Sequence, residues 1–290
     1  MKDLTVYVLT HNRGRMLLET IDSVLNQTCR DFTFIVSDNS NNNDTYELLK
    51  ENGYIEKLNY VKRKEECSGL EHLDICLSEV KTKYFVLFHD DDIMLPNYVQ
   101  QMYDAVQKGY PAVGSNAYFL YGGKKSKKTF FGKGKNIEVS KKQLPIQYCK
   151  NIISPFPSYI YNKELLKGLH ITNECGKYSD VIWLLKVSEA GNVLWLSTPL
   201  MYYRIHKEQD SKSLDIENQE KLIECFKNIV GDGNKYLRKY ETILFYLKMW
   251  LDYKKRKVIN KSDMFFLFAH SKFLFCKFVL KLILFHRKAL

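Results

Sequence analysis

Several kinds of motif are absent from this chain of 290 residues, and each absence argues against a class of protein. The seven cysteines are scattered singly, without a CxxC pair or a Cys/His cluster at zinc spacing, so no structural zinc site is expected. No GxGxxG follows the first predicted strand, which argues against a dinucleotide-dependent oxidoreductase. The cysteine count is odd and no signal peptide pattern opens the chain, so we expect a cytoplasmic protein with reduced thiols.

Positive charge is in excess, with 44 Lys and Arg against 33 Asp and Glu. A net charge of +11 favours anionic partners such as nucleic acid, phosphorylated small molecules or an anionic membrane. Two basic blocks stand out, KKSKK (124–128) and KKRK (254–257). Because no recognised nucleic-acid-binding motif accompanies them, we expect no nucleic-acid partner.

Strands and helices alternate in the first part of the sequence. Apolar and β-branched runs predict strands, and amphipathic segments between them predict helices. Such alternation with short loops predicts an α/β fold with a mostly parallel sheet, covered by helices on both faces. The predicted strands are LTVYVLT (4–10), FTFIVSDNS (32–40), LNYVK (58–62) and YFVLF (84–88), and the predicted helices are 15–26, 43–53, 68–81 and 96–109.

The remainder of the sequence has a different pattern. The Gly- and Lys-rich segment 121–136 predicts a mobile loop. A strand and a helix are predicted in 156–168, a helix in 177–191 and a pair of strands in 192–206. From about residue 212 onward only helical patterns occur, so we expect a helical C-terminal region.

Polar clusters follow three of the predicted strands: THNR (10–13), SDNS (37–40) and HDDD (89–92). In parallel sheets, ligands bind outside the carboxyl ends of the strands. Three adjacent aspartates repel one another, and a divalent cation of the Mg²⁺ or Mn²⁺ type would neutralise them and recruit a phosphorylated ligand. The alternatives are a solvated acidic turn, or Asp92 acting as the cap of the following helix.

The sequence resembles the family 2 glycosyltransferases in four segments that occur in the family's order. This resemblance implies a GT-A fold in residues 1–211, with a nucleotide-sugar half (1–120), an acceptor half (121–211) and a helical extension (212–290). It also implies transfer of a sugar from a nucleotide-diphosphate sugar with inversion of the anomeric centre. The segments are LTVYVLTHNR (4–13), TIDSVLNQTCRDFTFIVSDNS (20–40), FVLFHDDDIMLPNY (85–98) and YSDVIWLLKVSEAGNVLWLSTPLMYYRIH (178–206).

The resemblance implies nucleotide-binding roles for residues at the predicted sheet edge. Thr10, His11 and Arg13 would line the nucleotide pocket, with Arg13 near the diphosphate. Asp38 would hydrogen-bond the base, and Asp90 would lie toward the ribose.

The aspartate segment takes the place of the family's metal-binding DXD motif. The resemblance implies Asp91 as the direct ligand of Mn²⁺ or Mg²⁺ and Asp92 as a supporting residue. Many relatives have an aspartate where this chain has His89. Arg204 and His206 match a segment that returns toward the diphosphate or the metal. From the residues alone, His206 is equally well a structural histidine at a strand end.

Asp180 matches the position of the family's catalytic base. Inversion requires in-line attack by an acceptor hydroxyl, and a carboxylate must take its proton. Relatives often have Glu directly before this aspartate, where this chain has Ser179. Without the resemblance, Asp180 would be interpreted as a charge that the helix macrodipole favours at the N-terminus of a helix.

Residues 264–285 form a long apolar stretch that is interrupted by lysines. His270, Lys277, Lys281 and Lys288 fall on a narrow arc of a helical wheel, which predicts a helix lying in a membrane interface and not spanning it. The KKRK block upstream adds attraction to anionic lipid. The alternative is a helix that packs on the protein's own surface or in a dimer.

Taken with the resemblance, these features predict a metal-dependent glycosyltransferase on the inner face of the cell membrane. The donor is expected to be a UDP-sugar, and the acceptor a saccharide or lipid-linked saccharide in bacterial polysaccharide or glycolipid assembly. The alternative is a non-catalytic nucleotide-binding or membrane-surface scaffold with a similar fold. Such a scaffold would be expected to lose Asp91 or Asp180, and both are present.

Overall fold

The computed structural model describes residues 2–64, 67–132, 134–207, 209 and 214–287. The chain divides into two compact units, Met1–Ser213 and Leu214–Leu290. The first unit is α/β, and the described residues of the second unit form helices and their connections. The predicted boundary between residues 211 and 212 lies outside the described residues.

The first unit follows the predicted alternation of strands and helices. In its described residues the strands are β1 (Leu4–Thr10), β2 (Thr33–Asp38), β3 (Asn59–Lys62), β4 (Tyr84–His89), β5 (Ile93–Met94), β6 (Ala112–Tyr121), β7 (Lys124–Thr129), β8 (Ile137–Val139), β9 (Tyr159–Asn162) and β10 (Val193–Ile205). The helices are α1 (Arg15–Leu25), α2 (Asp44–Glu51), α3 (Gly69–Glu79), α4 (Tyr98–Val106), α5 (Gln143–Cys149) and α6 (Ser179–Val187).

These strands form one sheet in the order β3-β2-β1-β4-β9-β6-β10-β5, with β7 paired to β6 and β8 paired to β10. The first four strands along this order pair in parallel, as predicted. Beyond β4 the sheet is mixed, because β9 runs antiparallel to both β4 and β6. Since β1 lies between β2 and β4, the carboxyl ends of all three strands meet at one edge.

Burial on both faces explains the apolar character of the central strands. Every residue of β1 is buried, and β4 is buried from Tyr84 to Phe88. Ile21 and Val24 of α1 pack into the same core cluster as Val6 and Phe88. Burying each such side chain contributes roughly 1.5–3 kcal/mol, so this core fixes the sheet edge that carries the polar clusters.

The prediction of a mobile loop in 121–136 is wrong for most of that segment. Strand β7 pairs antiparallel with β6 across a tight turn at Gly122 and Gly123. Both glycines have positive φ, 52° and 82°, which suits the primed turns of two-residue hairpins. The glycine pair therefore indicates a hairpin, and the lysines that follow it remain mostly exposed on β7.

The predicted pair of strands in 192–206 is one strand, β10, of 13 residues. Its pairing with β6 shifts register on either side of Pro199. Proline has no N–H to donate to the ladder and is tolerated at such an irregularity. The strand therefore continues through the proline with a shift in its register.

The second unit contains four helices in its described residues. The predicted apolar stretch 264–285 is split at Ser271, whose backbone is extended at φ −160° and ψ 95°. A small core is formed by Tyr246, Met249, Tyr253, Leu267 and Phe278. Within the described part of the chain, no helix has the length and apolar character needed to cross a membrane. The helices are α7 (Ile216–Val230), α8 (Lys235–Arg256), α9 (Lys261–His270) and α10 (Lys272–Arg287).

Candidate active site

The aspartate segment lies at the end of β4, and two of its three carboxylates are buried. Asp90 is 6% exposed and Asp92 is 1% exposed. A solvated acidic turn would leave these residues in water, so that alternative fails. Asp92 is not the cap of the following helix either, because the residue at that position is Asn97.

One carboxylate oxygen of Asp92 is buried without a hydrogen-bond partner among the described residues. The other, Oδ1, accepts the backbone N–H of Arg204 at 2.8 Å. Burial and the neighbouring charge of Asp91 raise the pKa of Asp92 well above its usual value. An unpaired buried carboxylate oxygen is costly, so Oδ2 requires a proton or a cation.

Asp91 is contacted by two residues from the end of β10 and beyond. Its Oδ2 lies 2.7 Å from Nε2 of His206, and the two side chains are 13% and 14% exposed. Its backbone carbonyl accepts a hydrogen bond from Nε of Arg204 at 2.6 Å. The structure thus brings Asp91 together with Arg204 and His206, which lie more than a hundred residues further along the sequence.

The residues present fit a divalent cation. His89, Asp91 and Asp92 each offer one ligand atom, and these three atoms lie within 4.8 Å of one another. Burial lowers the pKa of His89, which favours the neutral imidazole that metals bind. Carboxylate oxygens suit Mg²⁺ and Mn²⁺. Because Oδ2 of Asp92 has no hydrogen-bond partner among the described residues, it is available to bind such an ion.

His89 is a residue that the sequence analysis did not place among the ligands. In the family's pattern this position is often an aspartate. His89 is the last residue of β4 and directly precedes the three aspartates, which follow in a turn. That position was the available signal, because imidazole is a common metal ligand.

Asp90 faces the residues that follow β1. Its carboxylate accepts the backbone N–H of His11 at 3.3 Å and Nε of Arg13 at 3.3 Å. Burial raises the pKa of Asp90 to about 6, although the contacts with Thr10 and Arg13 oppose that rise. The ends of β1 and β4 therefore contribute to one cluster, as predicted.

Asp38, at the end of β2, is fully buried and held by protein donors. It accepts hydrogen bonds from the Ser40 backbone N–H at 2.8 Å, the Tyr60 hydroxyl at 2.6 Å and Nζ of Lys62 at 3.1 Å. Burial opposes the charged form, but these bonds together keep the pKa of Asp38 below its usual value. Asp38 is thus a fixed anion beneath the edge of the sheet. Its hydrogen bond with the base of a bound nucleotide stays a prediction.

Arg204 has a structural role in this arrangement. Its side chain is 8% exposed, and Nη2 lies 2.7 Å from the Glu19 carboxylate. Together with the contacts to Asp91 and Asp92, this ion pair ties the aspartate segment to α1 and β10. The predicted contact of Arg204 with a diphosphate stays a prediction.

Polar side chains from α1 and from just beyond its end also hold the aspartate segment, and sequence reasoning did not find them. Thr20 and Ser23 lie on α1, and Gln27 lies two residues after its end. They bond the backbone of residues 92–95 at 2.7, 3.0 and 2.9 Å respectively. The spacing of three and four residues was the signal.

Asp180 is the second residue of α6 and is partly exposed. Its Oδ1 accepts the backbone N–H of Val181 at 2.8 Å. Burial among the surrounding atoms raises the pKa of Asp180 to about 6, against the opposing effect of the helix N–H groups. A carboxylate with this pKa is ionised at neutral pH and is a better proton acceptor than an ordinary aspartate.

Aromatic packing links α6 to the strand that carries the aspartates. The ring centroids of Trp183 and Tyr161 are 5.9 Å apart. Tyr161, on β9, stacks in turn on Phe85 of β4 with centroids 5.1 Å apart. The helix that presents Asp180 is therefore supported by the same buried scaffold as Asp90, Asp91 and Asp92.

Comparison with known proteins places the chain in a family. A family model described as glycosyl transferase family 2 matches residues 5–169, which is more than half of the chain. The chain belongs to glycosyltransferase family 2. The O-antigen biosynthesis glycosyltransferase WbnJ of Escherichia coli is similar to this glycosyltransferase, with 26% identity over 226 residues that cover 72% of this chain and 82% of WbnJ.

A second relative and a solved structure extend the comparison. The GalNAc(5)-diNAcBac-PP-undecaprenol beta-1,3-glucosyltransferase of Campylobacter jejuni is 27% identical over 221 residues, covering 74% of this chain and 68% of that protein. The crystal structure of Staphylococcus aureus TarS 1–349 with UDP-GlcNAc superposes with a TM-score of 0.64 at 16% identity, covering 88% of this chain and 78% of that one. The predicted family is confirmed, and so is the GT-A fold with a helical extension.

Proposed function

We propose that this glycosyltransferase moves a sugar from a UDP-sugar to a saccharide or lipid-linked saccharide acceptor, with inversion at the anomeric carbon and with a divalent metal. The observation that carries the proposal is the cluster of His89, Asp91 and Asp92, in which a buried oxygen of Asp92 has no partner among the described residues. The cluster lies at the carboxyl edge of the parallel strands, where ligands bind in sheets of this kind.

The metal site is proposed to be formed by Asp91 and Asp92, with His89 or His206 as a further ligand. When bound, Mn²⁺ or Mg²⁺ supplies the positive charge that neutralises a leaving diphosphate. Asp91 is the most accessible of the three aspartates and already has His206 within 2.7 Å. Arg204 donates a hydrogen bond to the backbone carbonyl of Asp91 and would hold that backbone in place while the aspartate side chains bind the metal.

The nucleotide pocket is proposed to lie over the ends of β1 and β2. Arg13, whose side chain is 24% exposed beside Asp90, would contact the diphosphate. Thr10 and His11 would line the pocket, Asp90 would lie toward the ribose, and Asp38 would contact the base. UDP is proposed as the nucleotide because the similar TarS structure contains UDP-GlcNAc.

Asp180 is proposed to be the general base. The acceptor hydroxyl gives its proton to the Asp180 carboxylate as the oxygen attacks the anomeric carbon from the face opposite the diphosphate. The bond between the sugar and the diphosphate breaks as the new glycosidic bond forms. The raised pKa of Asp180, about 6, suits a base that works near neutral pH.

The acceptor and the location are proposed from the relatives. One similar protein is named for an undecaprenol-linked saccharide acceptor and another for O-antigen biosynthesis. By this analogy the enzyme would act in cell-surface polysaccharide or glycolipid synthesis. It would work in the cytoplasm at the inner face of the cell membrane.

Release of UDP from a panel of UDP-sugars tests the proposal, with water as the acceptor. We expect release with Mn²⁺ or Mg²⁺ from one donor and none with EDTA. Asp180→Asn should lower the rate about 10²- to 10⁴-fold, because the proton acceptor is lost. The wild-type rate should fall as the pH drops through about 6, where Asp180 becomes protonated. Asp104→Asn, an exposed aspartate on α4, is the matched control and should retain the wild-type rate.

Two results would overturn the proposal. If folded enzyme releases UDP equally well with EDTA, the aspartate cluster does not hold a catalytic metal. If no UDP-sugar is bound or cleaved under any metal condition, the non-catalytic scaffold becomes the better account.

A further inference from the structure

Positive charge is concentrated at the C-terminal end of the chain. Residues 254–290 contain ten Lys and Arg and a single acid, Asp263, so they carry nine of the eleven net positive charges. The preceding part of the same unit, residues 214–253, has six basic and seven acidic residues. The excess charge is therefore a local property of α9, α10 and the segment that leads into them.

An apolar stripe is exposed on α10. Phe273 is 74% exposed, Leu280 57%, Leu284 50% and Ile283 47%. Phe273, Leu280 and Leu284 are separated by seven and four residues, which puts them on one face of the helix. The opposite face supplies Phe278, which is 1% exposed, to the small core of the unit. The stripe is thus a surface separate from the face that stabilises the fold.

Helix α9 also has exposed aromatic side chains. Phe265 is 74% exposed and Phe268 is 45% exposed. Phe268 contacts Phe275 of α10 edge-to-face with ring centroids 5.2 Å apart. That contact joins the two helices, so the exposed rings of α9 and the stripe of α10 belong to one helical pair.

Lysines flank the apolar stripe and are held at its border. Nζ of Lys281 lies 5.0 Å from the ring centroid of Trp250 and 5.2 Å from that of Tyr246. Lys277 also lies over Tyr246, at 5.8 Å. These positions keep the ammonium groups beside the stripe. If the apolar side chains entered an apolar phase, the ammonium groups could contact anionic groups at its boundary with water.

We propose that α9 and α10 form a docking surface for an anionic phospholipid bilayer. Phe265, Phe273, Leu280 and Leu284 enter the acyl boundary, and Lys277 and Lys281 contact lipid phosphates. A strongly basic, aromatic helical pair with an exposed apolar face has the composition of interfacial anchors. The exposed block 254–257 adds long-range attraction to the same negative surface.

Charge complementarity favours a membrane over a second copy of the chain as the occupant of this surface. Two copies meeting through α9 and α10 would bring two strongly positive segments together, and like charges at an interface oppose association. An anionic bilayer satisfies both the charge and the apolar area. This inference stands without the proposed sugar transfer, because it depends only on residues of the second unit.

Co-sedimentation of the full chain with vesicles tests the surface. We expect binding to phosphatidylglycerol-containing phosphatidylcholine vesicles, at least about tenfold weaker binding to pure phosphatidylcholine, and weakening by salt. The double variant Phe273→Ser/Leu280→Ser should bind at least about tenfold more weakly, because two exposed apolar side chains are lost. Leu165→Ser, which changes a 41% exposed leucine of the first unit, is the matched control and should bind like wild type.

Light scattering and UDP titration separate the possible outcomes. Equal vesicle binding by wild type and the double variant, or no preference for anionic lipid, would overturn the proposal. So would a wild-type dimer that the double variant converts to a monomer without any vesicle binding, since the occupant would then be a second copy. UDP binding should be unchanged in the double variant, so failure of this inference and failure of the proposed sugar transfer are distinguishable.

Discussion

The two units of the chain differ in the kind of side chain that they hold in an unfavourable environment. The first buries the carboxyl groups of Asp90 and Asp92 at the edge of the sheet, and partly buries Asp180 on α6. The second leaves large apolar side chains in water, with Phe273 as the extreme case at 74% exposed. Both arrangements are unfavourable in an isolated chain.

The difference agrees with what we propose that each unit binds. Buried carboxylates that lack a cation are stabilised by a ligand that brings one, so the first unit is suited to the metal and the phosphorylated donor that we propose. Exposed apolar groups beside lysines are stabilised by a phase that is apolar beneath an anionic surface. The comparison therefore supports the proposal of small-molecule chemistry in one unit and of membrane docking in the other.

A matched pair of substitutions on α10 gives the largest expected effect on stability. Phe278→Ala should destabilise the second unit by about 3 kcal/mol, because this ring fills a core of only a few residues. Phe273→Ala, on the exposed face, should change stability by less than about 0.5 kcal/mol. Hydrogen exchange of peptides from α8 and α10 measures both effects. Similar losses for the two variants would mean that the stripe is packed and is not a free surface.

Asp180→Asn should make the first unit more stable at neutral pH. The folded-state pKa of Asp180 is about 6, against an ordinary value of 3.8. Folding is therefore favoured by protonation, and the carboxyl's contribution to stability falls as the pH rises from about 4 to about 6. Removing the charge should gain up to about 3 kcal/mol at pH 7, and the gain should vanish near pH 4.

Urea unfolding of wild type and Asp180→Asn at both pH values measures this gain, with Asp104→Asn as the control. A helix N-terminal charge that serves only the macrodipole would give the opposite sign, because its loss destabilises the helix. Lower stability of Asp180→Asn at pH 7 would therefore contradict the account of Asp180 as a base whose pKa is raised in the folded protein.

The smallest expected effect concerns the lysines that border the stripe. Lys281→Gln should cost the second unit about 0.5–1 kcal/mol, because the contacts of the ammonium with Trp250 and Tyr246 are lost. Lys255→Gln, an exposed residue near the end of α8, should cost less. Hydrogen exchange across α8 and α10 resolves the difference. An equal, negligible effect of both substitutions would show that Lys281 is not held against the rings.

The elements of the first hundred or so residues could be predicted closely from the sequence. Strand β1 matches its predicted span of residues 4–10, and the four helices up to α4 lie within their predicted ranges. Apolar periodicity and Gly or Pro at the boundaries are strong there. Strands β5 and β8 have two and three residues, too few to show a period, and they form only because β10 pairs with them.

Which residues lie together at the candidate site could be predicted from the sequence better than the hydrogen bonds and ion pairs that join them. The structure gathers Asp90, Asp91 and Asp92 with Arg13 and His206 at one edge, as expected from the strand ends and the family pattern. The bonds that lock Asp38 to Tyr60 and Lys62 depend on the pairing of β2 with β3.

The ion pair between Arg204 and Glu19 joins residues that are 185 positions apart. No local pattern in the sequence encodes such contacts, because they arise only when distant strands and helices pack together.

Calorimetric titration of UDP into the purified protein tests the central claim most directly. With Mn²⁺ present, wild type and the control Asp104→Asn should bind UDP, and Asp91→Asn should bind at least about tenfold more weakly. With EDTA, wild-type binding should be lost. UDP binding that is equally tight with EDTA, or unchanged in Asp91→Asn, would contradict the account that the aspartate segment 90–92 binds a divalent metal and, through it, a diphosphate.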